Sequence, residues 1–300
     1  MLSILIPTYY YDATLLVQNL HQQAIEASID FEIVVAEDGS IFFLEENKKI
    51  ESLSNVKYEI LKKNIGRSAI RNYLADKAKY EYLLFFDCDS EICVPDFLQK
   101  YIENCKKNCV VLGGRIYTEN FDSQYSLLAK YGKKNERNTS KNIKKHSAHK
   151  VFTSPNFLIY KKIFDKVKFD ENFKEYGHED TIFGFDLLKF GYNFDYIDNP
   201  VLHKGLDENI SFIEKTKLSL NTLLKLYKSN KFPELNKNSK ILIFFSKIEK
   251  LNLVSIIAFF YKIFEKQIIK QITGKNPSLF LFDLFKLGYL CELEQRIKTG

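Results

Sequence analysis

Apolar residues fall into two rhythms along this chain. In the first half, short unbroken apolar runs alternate with stretches whose apolar positions recur every three or four residues. The runs predict buried strands and the stretches predict amphipathic helices. Residues 2–6 (LSILI) read as a buried strand stopped by Pro7, since proline cannot donate to a ladder. Asp12 can then cap a helix carrying Leu15, Leu16, Asn19 and Leu20. Strands follow over residues 31–36 and near 58–61, then a helix over about 68–78 and a strand over 82–86. Pro95 suits the first turn of a helix continuing to about Lys106, ahead of a strand over 110–112. Strand–helix alternation of this kind predicts a mostly parallel sheet covered on both faces. Such sheets bind ligands at the carboxyl ends of their strands. Pro7-Thr8-Tyr9, Glu37-Asp38-Gly39 and Asp87-Cys88-Asp89 all fall at such ends, so three polar clusters converge on one rim.

The rhythm then changes. Between Lys130 and Lys150 eight Lys or Arg stand against one Glu, with His146 and His149 and little periodicity. This predicts an exposed loop, either solvated or closing over an anionic ligand. GHEDTIFGFDLLKFG reads as a loop opening a helix, with Phe183, Leu187 and Phe190 as its apolar stripe and Gly191 as its stop. Beyond Ile210 come Lys-, Leu-, Ile- and Phe-rich helical patterns, broken at Pro233, Gly274 and Pro277. The expected organisation is a domain over residues 1–210 and a helical extension over 211–300. Within the extension, LNLVSIIAFFYKIF falls short of the roughly 18 residues needed to span a bilayer. It fits a packed helix or the apolar face of an interfacial one, whose flanking lysines suit an anionic leaflet.

Composition narrows the class. With 300 residues, 45% hydrophobic and 27% charged, the chain can bury a sizeable core. A formal charge of +6 suits anionic ligands or a lipid surface and, with no aromatic-basic motif, argues against nucleic acid. Five cysteines make no disulfide framework and match no zinc spacing; Cys105 and Cys109, one turn apart if helical, read as buried thiols. A reduced, cytoplasmic setting is expected, and MLSILIPTYY lacks the basic start of a signal peptide.

The carboxylates carry the candidate chemistry. In LLFFDCDSEICV an apolar run ends on Asp87 and Asp89, which the alternation of an extended segment points the same way, with Cys88 turned to the other face. Two carboxylates so placed need a divalent cation, an arginine or a shared proton between them. Arg67 and Arg71, one helical turn apart, share a face that can reach a base or a phosphate, although an isolated pair would ordinarily be solvated. Glu179-Asp180 at a helix start is either a cap or a general base.

Taken in order, SILIPTYY, VVAEDGS, NIGRSAIRN, FFDCDSE and GHEDTIFGFDLLKFG resemble the motifs of a family 2 glycosyltransferase over residues 1–205. The resemblance implies an α/β, GT-A type nucleotide-diphospho-sugar-binding domain, with a mostly parallel mixed sheet flanked by helices and a C-terminal helical extension. It implies a metal-dependent, inverting enzyme moving a sugar from a UDP-sugar donor to a hydroxyl of a glycan or lipid-linked acceptor, in bacterial surface polysaccharide synthesis. The aspartate pair matches the family's DxD motif, which implies Asp89 as ligand to Mn²⁺ (or Mg²⁺) and Asp87 on metal or ribose. His203 resembles a third metal ligand, acceptable to manganese. Asp38 would accept from uracil, walled by Pro7, Thr8 and Tyr9; Asn64, Arg67, Arg71, Cys88 and Gly114 complete the implied donor site. Where the family has an asparagine, this chain has Tyr10. The implied base is Asp180, with Glu179 binding acceptor hydroxyls. The expected setting is cytoplasmic, with peripheral contact on the inner face of the membrane as one reading. Two competitors remain: a haloacid-dehalogenase-like phosphatase with Asp87 as nucleophile, and a catalytically silent transferase-like scaffold.

Overall fold

The computed structural model describes residues 1–144, 152–173 and 176–299. It comprises two compact units. The first is built from Met1–Thr118, Glu136–Lys174 and Glu179–Gly205; the second is built on Leu206–Gly300 and takes in Glu119–Asn135.

The first unit holds strands β1 (Leu2–Thr8), β2 (Phe31–Glu37), β3 (Val56–Ile60), β4 (Tyr82–Phe86), β5 (Ser90–Ile92), β6 (Cys109–Leu112), β7 (Arg115–Tyr117), β8 (Asn156–Tyr160), β9 (Asn193–Tyr196) and β10 (Val201–His203). Seven form one sheet in the order β3-β2-β1-β4-β8-β6-β9, and the rest a small sheet in the order β5-β10-β7. β8 runs antiparallel to both neighbours, and the other pairs of the large sheet are parallel. The apolar runs are continuous because both faces are dry. Ile4, Ile6, Ile33, Val35, Leu84 and Phe86 pack on one face with helices Thr14–Glu26 and Phe97–Glu103. Leu5, Val34, Ala36, Leu83 and Phe85 pack on the other with helices Arg67–Lys77, Lys161–Val167 and Glu179–Lys189.

Several expectations are corrected. Pro7 lies inside β1 rather than ending it, because β1's ladder to β4 stops at Leu5 and Pro7 meets only Ala36 of β2. Leu15 is exposed; the first helix buries Leu16, Val17, Leu20 and Ala24. Pro95 stands in the turn before a helix that starts at Phe97 and ends at Glu103. Cys109 is therefore in β6, and never a helical turn from Cys105. Phe183 and Leu187 are buried, but Phe190 is exposed. Gly191 does stop that helix at φ +84°, its N–H donating to Leu188 O and that of Tyr192 to Leu187 O. Part of the expected lysine-rich loop is helix, over Ser126–Lys144. Its lysines and arginine are good helix formers, which an argument from charge alone overlooks. His146 and His149 lie outside the described residues.

From Leu206 onward the second unit is helical: Asn209–Ser229, Pro233–Asn238, Lys240–Lys250, Val254–Ile272 and Leu279–Thr299. Pro233 opens a helix at its first turn rather than breaking one. Leu127, Ile213, Tyr261, Ile272, Phe282 and Phe285 form its core. Gly288 lets two of its helices approach, since a Cβ there would meet the Tyr261 ring at 2.4 Å. Among the described residues, no helix is long and apolar enough to cross a membrane.

Candidate active site

The greasy run of β4 ends at Phe86, and the chain turns at once: Ser90 N–H donates to Asp87 O at 3.2 Å. The alternation of an extended strand therefore stops before the aspartate pair, and the two carboxylates serve different partners. Asp87 Oδ1 accepts from Arg71 Nη2 at 2.8 Å. Asp89 Oδ2 lies 3.4 Å from His203 Nδ1 on β10. Cys88 packs into the core between them, its thiol pushed up by burial.

Arg71 organises this end of the sheet. One turn inside its helix it is 4% exposed, whereas Arg67 at the helix start is exposed. Its guanidinium sits 5.3 Å above the Phe169 ring, and Nη1 is 3.7 Å from Glu179 Oε1. Arg67 reaches the same oxygen at 3.8 Å. Burial alone would raise Asp87, but the charges of Arg71, Arg115 and Arg67 hold it below the usual carboxylate range. Solvation, the ordinary fate of such an arginine pair, is overturned at Arg71 because Phe169 and two carboxylates enclose it.

Glu179 and Asp180 open their helix, where the macrodipole favours anions. Asp180 accepts from its neighbour Thr181, at 2.7 Å from N–H and 3.3 Å from the hydroxyl. Burial first, then the adjacent Glu179 charge, push Asp180 up to about 6 against those bonds and Arg71. A carboxyl so raised is ionised at neutral pH yet holds a proton well, as a general base must.

At the ends of β1 and β2, Asp38 is buried and both of its oxygens are engaged. Oδ1 accepts from Ile65 N–H at 2.7 Å and Oδ2 from Gly66 N–H at 3.2 Å, tying it to the start of the Arg67–Lys77 helix. Burial raises it despite these bonds, and each oxygen keeps a lone pair for a ligand donor. Gly39 is required beside it: φ is +73°, and a Cβ would lie 2.4 Å from the backbone at Lys63 and Asn64. Asn64 itself is exposed. Tyr9 and Tyr10 are exposed with ring centroids 4.3 Å apart, and Phe42 lies 5.5 Å beyond Tyr10. Tyr10 takes φ +52°, a conformation that asparagine adopts more readily. Thr8 ends β1 next to them, with Pro7 one residue inside the strand.

Some contributors have roles that a reading of the sequence does not assign. Glu37 is buried on bonds from Ser40, Asn47 and Tyr58, while Asn47 holds Tyr11 O and Ala13 N–H. This network anchors the loop bearing Tyr9 and Tyr10, and Tyr10 N–H adds a 2.8 Å bond to Ser40. Asn156 donates to Gly114 O and Asn199 O, fixing the turn at Gly113-Gly114, where Gly114 has φ +86°. Gly205 leaves room for Asp89: a Cβ there would lie 2.3 Å from Oδ2. The only signals were a charged residue before Asp-Gly and an asparagine after Ser-Pro, neither distinctive.

Asp89 and His203 form a carboxylate–imidazole pair whose chemistry fits manganese better than magnesium. Asp87, expected as a further ligand, is turned to Arg71. Among the described residues, no three His, Cys, Asp or Glu side chains converge as a metal site. Buried side-chain atoms without a hydrogen-bond partner include Thr8 Oγ1 and Arg71 Nη1, both at this rim and both able to donate. The phosphatase reading of Asp87 finds no support, since an attacking carboxylate would have to leave Arg71.

A profile described as glycosyl transferase family 2 matches residues 3–168. The chain is 31% identical over 237 residues to a chondroitin synthase of Escherichia coli, covering 67% of this chain and 34% of that protein. It is 26% identical over 246 residues to an uncharacterized glycosyltransferase of Methanocaldococcus jannaschii, covering 77% and 80%. The chain thus spans about a third of the length of the chondroitin synthase. Among solved structures, a mannosyltransferase from Pyrobaculum calidifontis in complex with GDP-Man and Mn²⁺ superposes with a TM-score of 0.59 at 11% identity, covering 98% of this chain and 87% of that one. Residues 1–349 of S. aureus TarS in complex with UDP-GlcNAc give 0.51 at 18% identity, covering 99% and 92%. At such identities these two speak for the fold alone, the GT-A arrangement of a mixed sheet flanked by helices. The profile match covers more than half of the chain, which therefore belongs to glycosyl transferase family 2 and is a glycosyltransferase.

Proposed function

We propose that the chain moves a sugar from a UDP-sugar to a hydroxyl of a growing glycan, with inversion at the anomeric carbon. The observation that carries this reading is the position of Arg71, hydrogen-bonded to Asp87 and 3.7 Å from Glu179. One buried guanidinium thereby draws the donor-side and acceptor-side carboxylates to a common point. A glycan acceptor is favoured by the polysaccharide synthases among the relatives, and a lipid-linked acceptor offers the same hydroxyl chemistry.

Asp38 accepts from uracil N3–H through its spare lone pair, between Thr8 and the Tyr9 ring. Asp89 and His203 would hold Mn²⁺, or Mg²⁺ less well, and Asp87, fixed by Arg71, is left for metal or ribose. Such a cation, when bound, compensates the charge of the departing diphosphate. Arg67, Asn64 and Gly114 line the donor's path, and Cys88, its side chain in the core, meets it only through its backbone. On the acceptor side Glu179 orients the hydroxyl and Asp180 takes its proton as the oxygen attacks. A base opposite the leaving group makes the displacement in-line, hence inverting.

The test is UDP binding by thermal shift, with Mn²⁺ or with EDTA, on the parent and on Asp89→Ala. The parent should be stabilised by UDP only with metal, and the variant in neither case. UDP affinity indifferent to EDTA in the parent would sink the donor-site assignment.

A further inference from the structure

The helix Val254–Ile272 turns a greasy face outward. Val254, Ala258, Tyr261 and Ile272 are buried on its inner side, with Tyr261 lying against Gly288 of the helix Leu279–Thr299. On the opposite side Ile256, Phe259, Phe260, Ile263 and Phe264 are each 48–61% exposed. Their spacing places all five on one stripe of a 3.6-residue turn. Leu251 and Leu253 are exposed as well, in the turn just ahead of the helix. An ordinary surface helix carries its polar face there, and scattered apolar residues would need no account. Five in register do.

Charge decides what covers it. Lys262, Lys266 and Lys270 are all exposed and form a row one turn apart along one border of the stripe, Lys262 lying also 4.0 Å from Glu292 of the helix Leu279–Thr299. The helix has a single acid, Glu265; it faces the inner side, accepting from Tyr261 Oη at 3.0 Å and lying 3.7 Å from Lys217. A second copy of this helix would therefore offer these lysines no outward acid. An anionic lipid surface satisfies both parts at once, taking the phenylalanines below its headgroups and the ammonium groups at its phosphates.

We propose that the outward face of the Val254–Ile272 helix docks flat on an anionic bilayer, with Phe259, Phe260, Ile263 and Phe264 inserted and Lys262, Lys266 and Lys270 at the headgroups. This goes beyond the transfer reaction and does not depend on how the sugar is moved.

The chain contains no tryptophan, so a single one reports its own surroundings. Phe260→Trp in the full chain should shift its emission to the blue on vesicles containing phosphatidylglycerol, and brominated lipid should quench it. Leu15→Trp, on an exposed site of the first unit, should respond to neither. The Lys262→Gln/Lys266→Gln/Lys270→Gln variant should bind these vesicles at least about tenfold more weakly, as should the parent in high salt. Circular dichroism checks that each variant is folded. Equal binding to neutral phosphatidylcholine vesicles, or no response of the reporter to phosphatidylglycerol, would overturn the proposal. So would a reporter shift that follows protein concentration without lipid, which would assign the face to a second copy.

Discussion

Replacing Asp180 by Asn separates a catalytic base from a helix cap, because it retains shape and capping ability while removing basicity. The carboxyl is pushed up to about 6 by burial and by Glu179. A raised carboxyl binds its proton more tightly in the folded than in the unfolded chain. Its charged form thus costs stability: nothing below pH 4, increasingly up to about 6, and a constant amount above. A rise from the ordinary value near 4 corresponds to at most about 3 kcal/mol, and partial solvent access lowers that. Asp180→Asn should therefore raise the melting temperature at pH 7.5 and leave it unchanged at pH 4. Turnover moves the other way. Measured as UDP release with donor and acceptor saturating, kcat of the parent should fall about tenfold per pH unit below about 6. In the variant it should drop by about a hundredfold or more with UDP affinity intact, as befits an interaction made in the transition state. Glu179→Gln should move the acid limb below 6, since the Glu179 charge helps raise it. Near-normal turnover of Asp180→Asn would refute the assignment, and loss of activity in Glu179→Gln alone would transfer the role to Glu179.

Three further outcomes follow from the same geometry. Arg71→Met should destabilise the fold by about 2–3 kcal/mol in urea titration, below the roughly 3–5 expected for a fully buried pair because Asp87 retains some solvent, and should weaken UDP binding as well. Gly205→Ala should displace the Asp89 carboxylate from His203 and abolish metal-dependent stabilisation by UDP, with the melting temperature of the free protein little changed. UDP should outcompete GDP by at least about tenfold in displacement assays, the worth of one hydrogen bond to Asp38, and equal competition would remove Asp38 from base recognition.

The parts of the fold legible in the sequence were those fixed by short-range rules. β2 and β4 were readable because both faces of the sheet are dry, so their runs carry no polar interruption. The stop at Gly191 was readable because one residue type fits that φ. Errors came where a local rule met a tertiary one. Pro7 ends a strand only if both of its ladders continue, and the ladder to β4 had already finished. Phe190 fits the apolar stripe of its helix, but lies at the helix end, past the reach of the core.

The candidate site divides along the same line. Its anions were visible, because carboxylates at the ends of apolar strands are rare without a task. Their partners were not. Arg71 sits on the helix before β4, and Glu179 reaches it from far along the chain, so only the strand order brings the three together. The sequence left open whether a cation, an arginine or a proton would separate Asp87 from Asp89. The turn after Phe86 resolves this for one of the two, giving Asp87 to the arginine and leaving Asp89 beside His203. That division has a chemical consequence. An aspartate whose charge is already balanced adds little pull on a metal, so metal affinity should rest on Asp89 and His203, and Asp87 should matter chiefly through the geometry it shares with Arg71.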